Sequence, residues 1–164
     1  MYNSYLTNMD FNVGIYIRLS QEDKDKKYES DSESVINQKE LLRSYVKNNN
    51  FNLCGEYVDD GYSGTNFDRP GFQKMLEDIK QKKINCVVVK DLSRFGRNHI
   101  EADNYIENFL PGYNVRIISI NDNIDTLKLP KSNAYIEIPL RNLMNDCYAR
   151  DISEKVKSTL KVKQ

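Results

Sequence analysis

The sequence predicts an α/β fold: a mostly parallel central sheet of four to five strands with helices on both faces, followed by a long C-terminal helix. Three observations carry that reading. Strand-like and helix-like patterns alternate in the order β, α, β, α, β, α, β and then a long α, the pattern of a sheet wound with crossover helices. The run Cys86-Val87-Val88-Val89 is apolar at every position, which suits a strand covered on both faces. Three strand patterns end in stretches rich in Arg, Ser and Gly, where open α/β sheets collect their sites.

The first strand spans residues 12–20. Val13, Ile15 and Ile17 alternate with Gly14, Tyr16 and Arg18, and residues two apart share a face. Arg18 and Ser20 therefore project together, with Tyr16 below them. Residues 21–33 are charged and unpatterned, and read as a mobile loop. Two readings of it stand: a site assembled only on substrate binding, or a solvated connector. Ser34 reads as the N-cap of a helix whose apolar positions are Val35, Ile36, Leu41, Leu42, Tyr45 and Val46. Gln38 lies near its start and can reach toward the first strand. The helix ends in Asn48-Asn49-Asn50.

Residues 51–59 form the second strand, followed by a tight loop punctuated by Gly61 and Gly64. Asp68-Arg69-Pro70-Gly71-Phe72 opens the next helix with proline in its first turn. Its apolar face is Phe72, Met75, Leu76 and Ile79. The third strand occupies 84–89 and runs into Lys90-Asp91-Leu92-Ser93-Arg94-Phe95-Gly96-Arg97-Asn98. Arg94 and Arg97 share a face if a helical turn starts there. Ala102, Tyr105, Ile106, Phe109 and Leu110 mark a helix that Pro111-Gly112 ends, with His99 at its start. Residues 115–120 are the fourth strand and 121–125 a polar loop. From Pro139 onward, Leu140, Leu143, Met144, Cys147 or Tyr148, Ile152, Val156 and Leu160 make one helical stripe. Its far end is short of core partners and rich in lysine, so it calls for a second subunit, a DNA groove or a further domain, unless it is a frayed end.

Composition bounds the function. The chain has 164 residues, 39% hydrophobic and 29% charged, as expected of one globular domain. No apolar run reaches membrane-span length and no signal peptide opens the chain, so a cytoplasmic protein is expected. Cys54, Cys86 and Cys147 are odd in number and far apart, and read as buried free thiols. His99 is the only histidine, which leaves no zinc set and no spare base for a Ser-His-Asp hydrolase. Formal net charge is zero, but residues 21–34 hold six acidic and three basic side chains, and residues 141–164 hold six basic and three acidic. A neutral whole with a basic tail binds a phosphate backbone locally and weakly.

Arg18 with Ser20, Ser63 with Arg69, and Arg94 with Arg97 follow three strands that converge if the sheet is parallel. An Arg-x-Ser at a strand end is either an ordinary edge or a phosphate-handling nucleophile. The wider set places hydroxyls among arginines, without a metal-ligand set, a P-loop or a G-x-G-x-x-G fingerprint. Guanidinium groups grip phosphate bidentately and hold their charge at any working pH. They can stabilise a phosphoryl transition state as a metal ion otherwise would.

With these residues in view, the chain resembles the serine recombinase family (the resolvase/invertase catalytic domain), and within it the large serine recombinases of mobile elements. Tyr16-Ile17-Arg18-Leu19-Ser20 matches the Y-x-R-x-S motif. Gln38 falls where the family carries an active-site glutamine. Ser63-Gly64 and Asp68-Arg69-Pro70-Gly71-Phe72 match a second block, and Leu92-Ser93-Arg94-Phe95-Gly96-Arg97 a third. Arg150-Asp151-Ile152-Ser153 resembles the start of the long interface helix. Two departures stand out: Ser93 replaces the aspartate common in resolvases, with Asp91 a candidate substitute, and Ala149 stands where small resolvases often have glutamate.

The resemblance implies metal-independent cleavage and rejoining of double-stranded DNA with no cofactor and no small-molecule substrate. Ser20 would be the nucleophile, forming a 5′-phosphoserine link, with Tyr16, Arg18, Gln38, Ser63, Arg69, Arg94 and Arg97 around it. It implies a homodimer that assembles to a synaptic tetramer, with Arg150, Lys155 and Lys157 at the DNA or subunit interface. It divides the chain into a catalytic core at 1–138 and the start of the long helix at 139–164, with DNA-recognition domains beyond this sequence. The setting is bacterial cytoplasm, at the nucleoid when DNA is bound. A silent oligomerisation module of the same fold and a small-molecule phosphate-binding α/β domain are the alternatives. Ser20, Arg18, Arg94 and Arg97 together disfavour the first, and the missing Gly-rich phosphate loop disfavours the second.

Overall fold

The computed structural model describes residues 10–19, 35–62, 67–96 and 98–128, and residues 155, 157 and 159–161 of the C-terminal stretch. Ser20, Ser63, Arg97, Arg150, Ser34, Cys147 and the stripe from Leu140 to Val156 lie outside the described residues, as does the loop at 21–33.

Strands β1 (Asn12–Leu19), β2 (Asn52–Asp60), β3 (Cys86–Val89), β4 (Arg116–Ser119) and β5 (Ile124–Asp125) form one sheet in the order β2-β1-β3-β4-β5. The first four are parallel, and β5 pairs antiparallel with β4. The expected fold class holds. Period-two alternation sorts each central strand between two cores. Val13, Ile15 and Ile17 of β1 join Cys86, Val88 and Ile118 in the core beneath α1 (Val35–Asn48). Tyr16, Val87, Val89 and Ile117 face the larger core built with α2 (Pro70–Lys80) and the helix that begins at His99. The all-apolar β3 is thus explained by cover on both faces.

The helices show where periodicity alone misleads. In α1, Leu42 and Val46 are buried with Gln38, but Ile36 and Leu41 are exposed. Their spacing puts them on the flanks of the apolar stripe, and among the described residues no element covers those flanks. Asn50 closes the helix with φ 56°, as a left-handed cap. The helix after β3 ends at Gly112, as the Pro111-Gly112 pair predicts, but it is not uniform along its length. It runs as α4 (His99–Asn104), widens into a π-helical turn (Tyr105–Phe109) and returns to α in α5 (Leu110–Gly112). The Leu110 amide donates to the Tyr105 carbonyl. A wider turn before the proline eases the missing amide and the ring's clash with the preceding turn, so proline is absorbed in place.

Two further expectations are corrected. The segment 121–125 is not loop throughout: Ile124 and Asp125 form β5. Asp125 pairs bidentately with Arg116 at 2.8 and 2.6 Å, and the guanidinium lies over the rings of Phe11 and Phe51. A two-residue strand has no period to read; this ion pair and the Ile124 side chain hold it. Among the cysteines, Cys86 is buried, its thiol pushed up to about 12 by burial, but Cys54 is exposed because β2 is an edge strand.

Candidate functional site

Strand order reverses across β1, with β2 on one side and β3 on the other. The carboxyl ends of β1 and β3 therefore flank the topological switch point, where open α/β sheets place their sites. The turn at Gly61 closes one side: its φ is 87°, a conformation suited to glycine, and its amide donates to the Leu19 carbonyl.

Arg18, the penultimate residue of β1, has no solvent exposure. Its Nη2 donates to the Ser93 carbonyl at 2.8 Å, its Nη1 to the Tyr62 carbonyl at 3.0 Å, and its Nε to the Arg94 carbonyl at 3.3 Å. A guanidinium is a rigid five-donor fork, and this one clamps the loops after β2 and β3 onto β1.

The loop after β3 turns once as α3 (Leu92–Phe95). Asp91 caps it, accepting from the Arg94 amide at 3.2 Å and from the Ser93 hydroxyl. The helical turn ends at Gly96, which is extended, and the expected pairing of Arg94 with Arg97 on one face lies outside the described residues. Arg94 is buried, donates from Nη1 to the Arg18 carbonyl at 3.2 Å, and lies 3.8 Å from Asp91. Asp122, from the turn between β4 and β5, accepts from the Leu92 amide at 2.7 Å and the Ser119 hydroxyl at 2.6 Å. The arginine-bearing turn is therefore tied to β1, β4 and its own cap.

Beneath it lies a second network. Arg69, also without exposure, donates from Nη1 to the Tyr16 hydroxyl at 2.7 Å and from Nη2 to the Phe95 carbonyl at 2.7 Å. Burial lowers its pKa from the ordinary arginine value. The Tyr16 hydroxyl in turn donates to Asp59 at 2.8 Å. Burial, foremost, raises the phenol's pKa above its usual value, with Arg69 opposing, so Tyr16 stays neutral and can donate while accepting from Arg69. Asp59 also receives the Gly71 and Phe72 amides at 2.7 and 2.9 Å. It is an N-terminal anchor of α2 supplied by a distant strand. Tyr16→Phe is expected to cost about 1–3 kcal/mol, because it leaves an Arg69 donor and an Asp59 lone pair short of a partner. Urea unfolding with an unchanged slope would check it.

Of the residues expected at the site, the structure brings together Tyr16, Arg18, Arg69 and Arg94. Gln38 is buried on the face of α1 that packs on β1. Lys155 and Lys157 are helical and exposed. Asp59 and Asp122 were missed by sequence reasoning. Asp59 stands two residues before the Gly61 turn, and an acid at a strand end facing a proline-started helix is a usable signal; Asp122 offers none.

A family model described as "Resolvase, N terminal domain" matches residues 13–164. The chain belongs to that family. Solved structures similar to this resolvase-family domain are serine recombinase catalytic domains. A resolvase family site-specific recombinase from Streptococcus pneumoniae is 27% identical, covering 94% of this chain and 99% of that one, with a TM-score of 0.63. The N-terminal catalytic domain of TP901-1 integrase is 23% identical, covering 86% and 98% with a TM-score of 0.66, and shares the fold. An uncharacterized immunity region protein of Bacillus phage phi105 is 35% identical over 74 residues, which are 45% of this chain and 85% of that protein.

Proposed function

We propose that this resolvase-family domain cleaves and rejoins double-stranded DNA at specific sites through Ser20, without a metal ion. The observation that carries the reading is the gathering of Arg18, Arg69 and Arg94 at the end of β1, one residue before Ser20 in the chain. In the first step the Ser20 Oγ–phosphorus bond forms and the bond from phosphorus to the 3′ oxygen breaks. The serine proton ends, directly or through a relay, on the departing 3′-hydroxyl. The phosphoserine link keeps the phosphoester for resealing by a 3′-hydroxyl. Arg94 and Arg97 are assigned to the phosphate. Arg18 acts through its field and by holding the Ser93 and Arg94 carbonyls, while Tyr16 and Arg69 hold the floor. Gln38 and Ser63 complete the assigned set.

The same reading makes residues 1–138 the catalytic core and 139–164 the start of a long helix. Arg150, Lys155 and Lys157 would meet DNA or a second subunit in a dimer that pairs into a tetramer. No helix among the described residues is long and apolar enough to cross a membrane, which fits action on DNA in the bacterial cytoplasm.

The test is covalent capture. The full-length protein is incubated with fragmented duplex DNA from the genome that encodes it and stopped with detergent. An adduct is expected from the wild type and none from Ser20→Ala, with DNA retention equal in both. An adduct in Ser20→Ala overturns the assignment. A second reading, a silent oligomerisation module, is favoured by one observation: the donors of Arg18 and Arg69 are directed at carbonyls and a phenol within the fold. Absence of any wild-type adduct, with oligomers intact, would select it.

A further inference from the structure

We propose that Phe67 and Gly96 form a size-matched joint that positions Arg69 against the arginine-bearing turn, making Phe67 a positioning residue for cleavage. The inference rests on the function proposed above. Gly96 has φ −173° and ψ 150°, extended backbone open to any residue, so its conformation does not call for glycine. The neighbouring ring does. A Cβ built on Gly96 would lie 2.3 Å from Phe67 Cζ and 2.9 Å from Cε1. Real carbon contacts of that kind do not occur, and a ring held on all sides cannot retreat.

The ring is so held. It is buried and packs with centroid separations of 4.9 Å to Phe72, 4.9 Å to Tyr105 and 6.0 Å to Phe95. The Phe67 carbonyl accepts from Gln73 Nε2 at 2.9 Å, fixing its backbone to α2. The Arg69 guanidinium carbon sits 4.9 Å from the ring centroid, within cation–π range. Arg69 meanwhile donates to the Phe95 carbonyl at 2.7 Å, one residue before Gly96. One aromatic ring thus sets both the height of the Arg69 guanidinium and the approach of the turn bearing Arg94. A residue at 96 with any side chain would push that turn away from Arg69 and loosen the carbonyls that Arg18 holds.

Three variants of the full-length protein test the joint: Gly96→Ala, Phe67→Leu, and the two combined. Leucine lacks the atoms that an added methyl would meet. At saturating fragmented duplex DNA, Gly96→Ala is expected to slow adduct formation by on the order of a hundredfold with DNA retention unchanged, the scale of a misplacement of about 1 Å. Phe67→Leu is expected to slow it about tenfold, and the double variant to recover to within about threefold of Phe67→Leu. A double variant slower than Gly96→Ala, or a Gly96→Ala protein at wild-type rate, overturns the joint. A readout without DNA separates this from failure of the recombinase reading. The Arg69 Nε–H resonance should shift or broaden in Gly96→Ala and return toward its wild-type position in the double variant. An unchanged resonance in Gly96→Ala overturns the joint whether or not any adduct forms.

Discussion

Asp59→Asn is expected to destabilise the domain by about 3 kcal/mol, the scale set by breaking a buried charge-assisted network. Asp59 is 1% exposed. One of its oxygens accepts the Gly71 amide, and the other accepts the Phe72 amide and the Tyr16 hydroxyl. Asparagine has nearly the same shape, so no cavity forms. It offers one acceptor oxygen and one donor group, and whichever way the amide turns, donor faces donor. Either the Gly71 amide or the Phe72 amide is left facing a donor, and in the second case the Tyr16 hydroxyl must also turn from donating to accepting. The negative charge at the start of α2 is lost as well. Through Tyr16 the change reaches Arg69, which loses the favourable charge of Asp59. A fall in melting temperature of roughly 10 °C is expected for a domain of this size. A fall of only a degree or two would show that the carboxylate is not the anchor of α2.

Arg94→Lys is expected to slow adduct formation by at least about a hundredfold, as when one preorganised donor is removed from a transition state, while leaving DNA retention near wild type. The substitution keeps the charge and loses the planar fork. In the structure Arg94 uses Nη1 to hold the Arg18 carbonyl and sits beside its own cap, Asp91. A lysine ammonium is a point donor that cannot hold that carbonyl and meet a phosphate in the same geometry. A single-turnover capture assay decides the matter. Cleavage within a fewfold of wild type would remove Arg94 from the scissile phosphate and leave it a brace for the turn.

Both expectations concern side chains whose importance was only half legible in the sequence. Arg94 stood out because it follows a short apolar strand within a charged loop. Asp59 did not, because its three partners come from β1 and from α2, 43 residues before it and 12 or 13 after it. The α2 face Phe72, Met75, Leu76 and Ile79 was readable because helix period is a local property, and all four are buried. Ile36 and Leu41 failed as core positions for the complementary reason: an apolar residue is buried only where another element lies over it. Phe67 drew no notice in the sequence, since one aromatic before a helix start has no pattern of its own. Its role in the proposed joint depends on Gly96, which reaches it through the crossover from β3.

What the sequence determined by itself is local and periodic. It settles the alternation of strands and helices from β1 to β4, the double-sided cover of β3, the proline start of α2, and, through the order of its motifs, the family. Only the tertiary structure decided where polar groups point. Side chains two apart on a strand share a face by geometry, which put Tyr16 and Arg18 together in advance. Which carbonyls Arg18 meets, 44 to 76 residues away, depends on β2 and β3 lying on either side of β1. That order follows from packing both faces of the sheet under right-handed crossovers. A buried guanidinium must find acceptors wherever the neighbouring strands place them, and here the switch point places carbonyls. The crevice is therefore an arginine cluster held by the fold's own backbone.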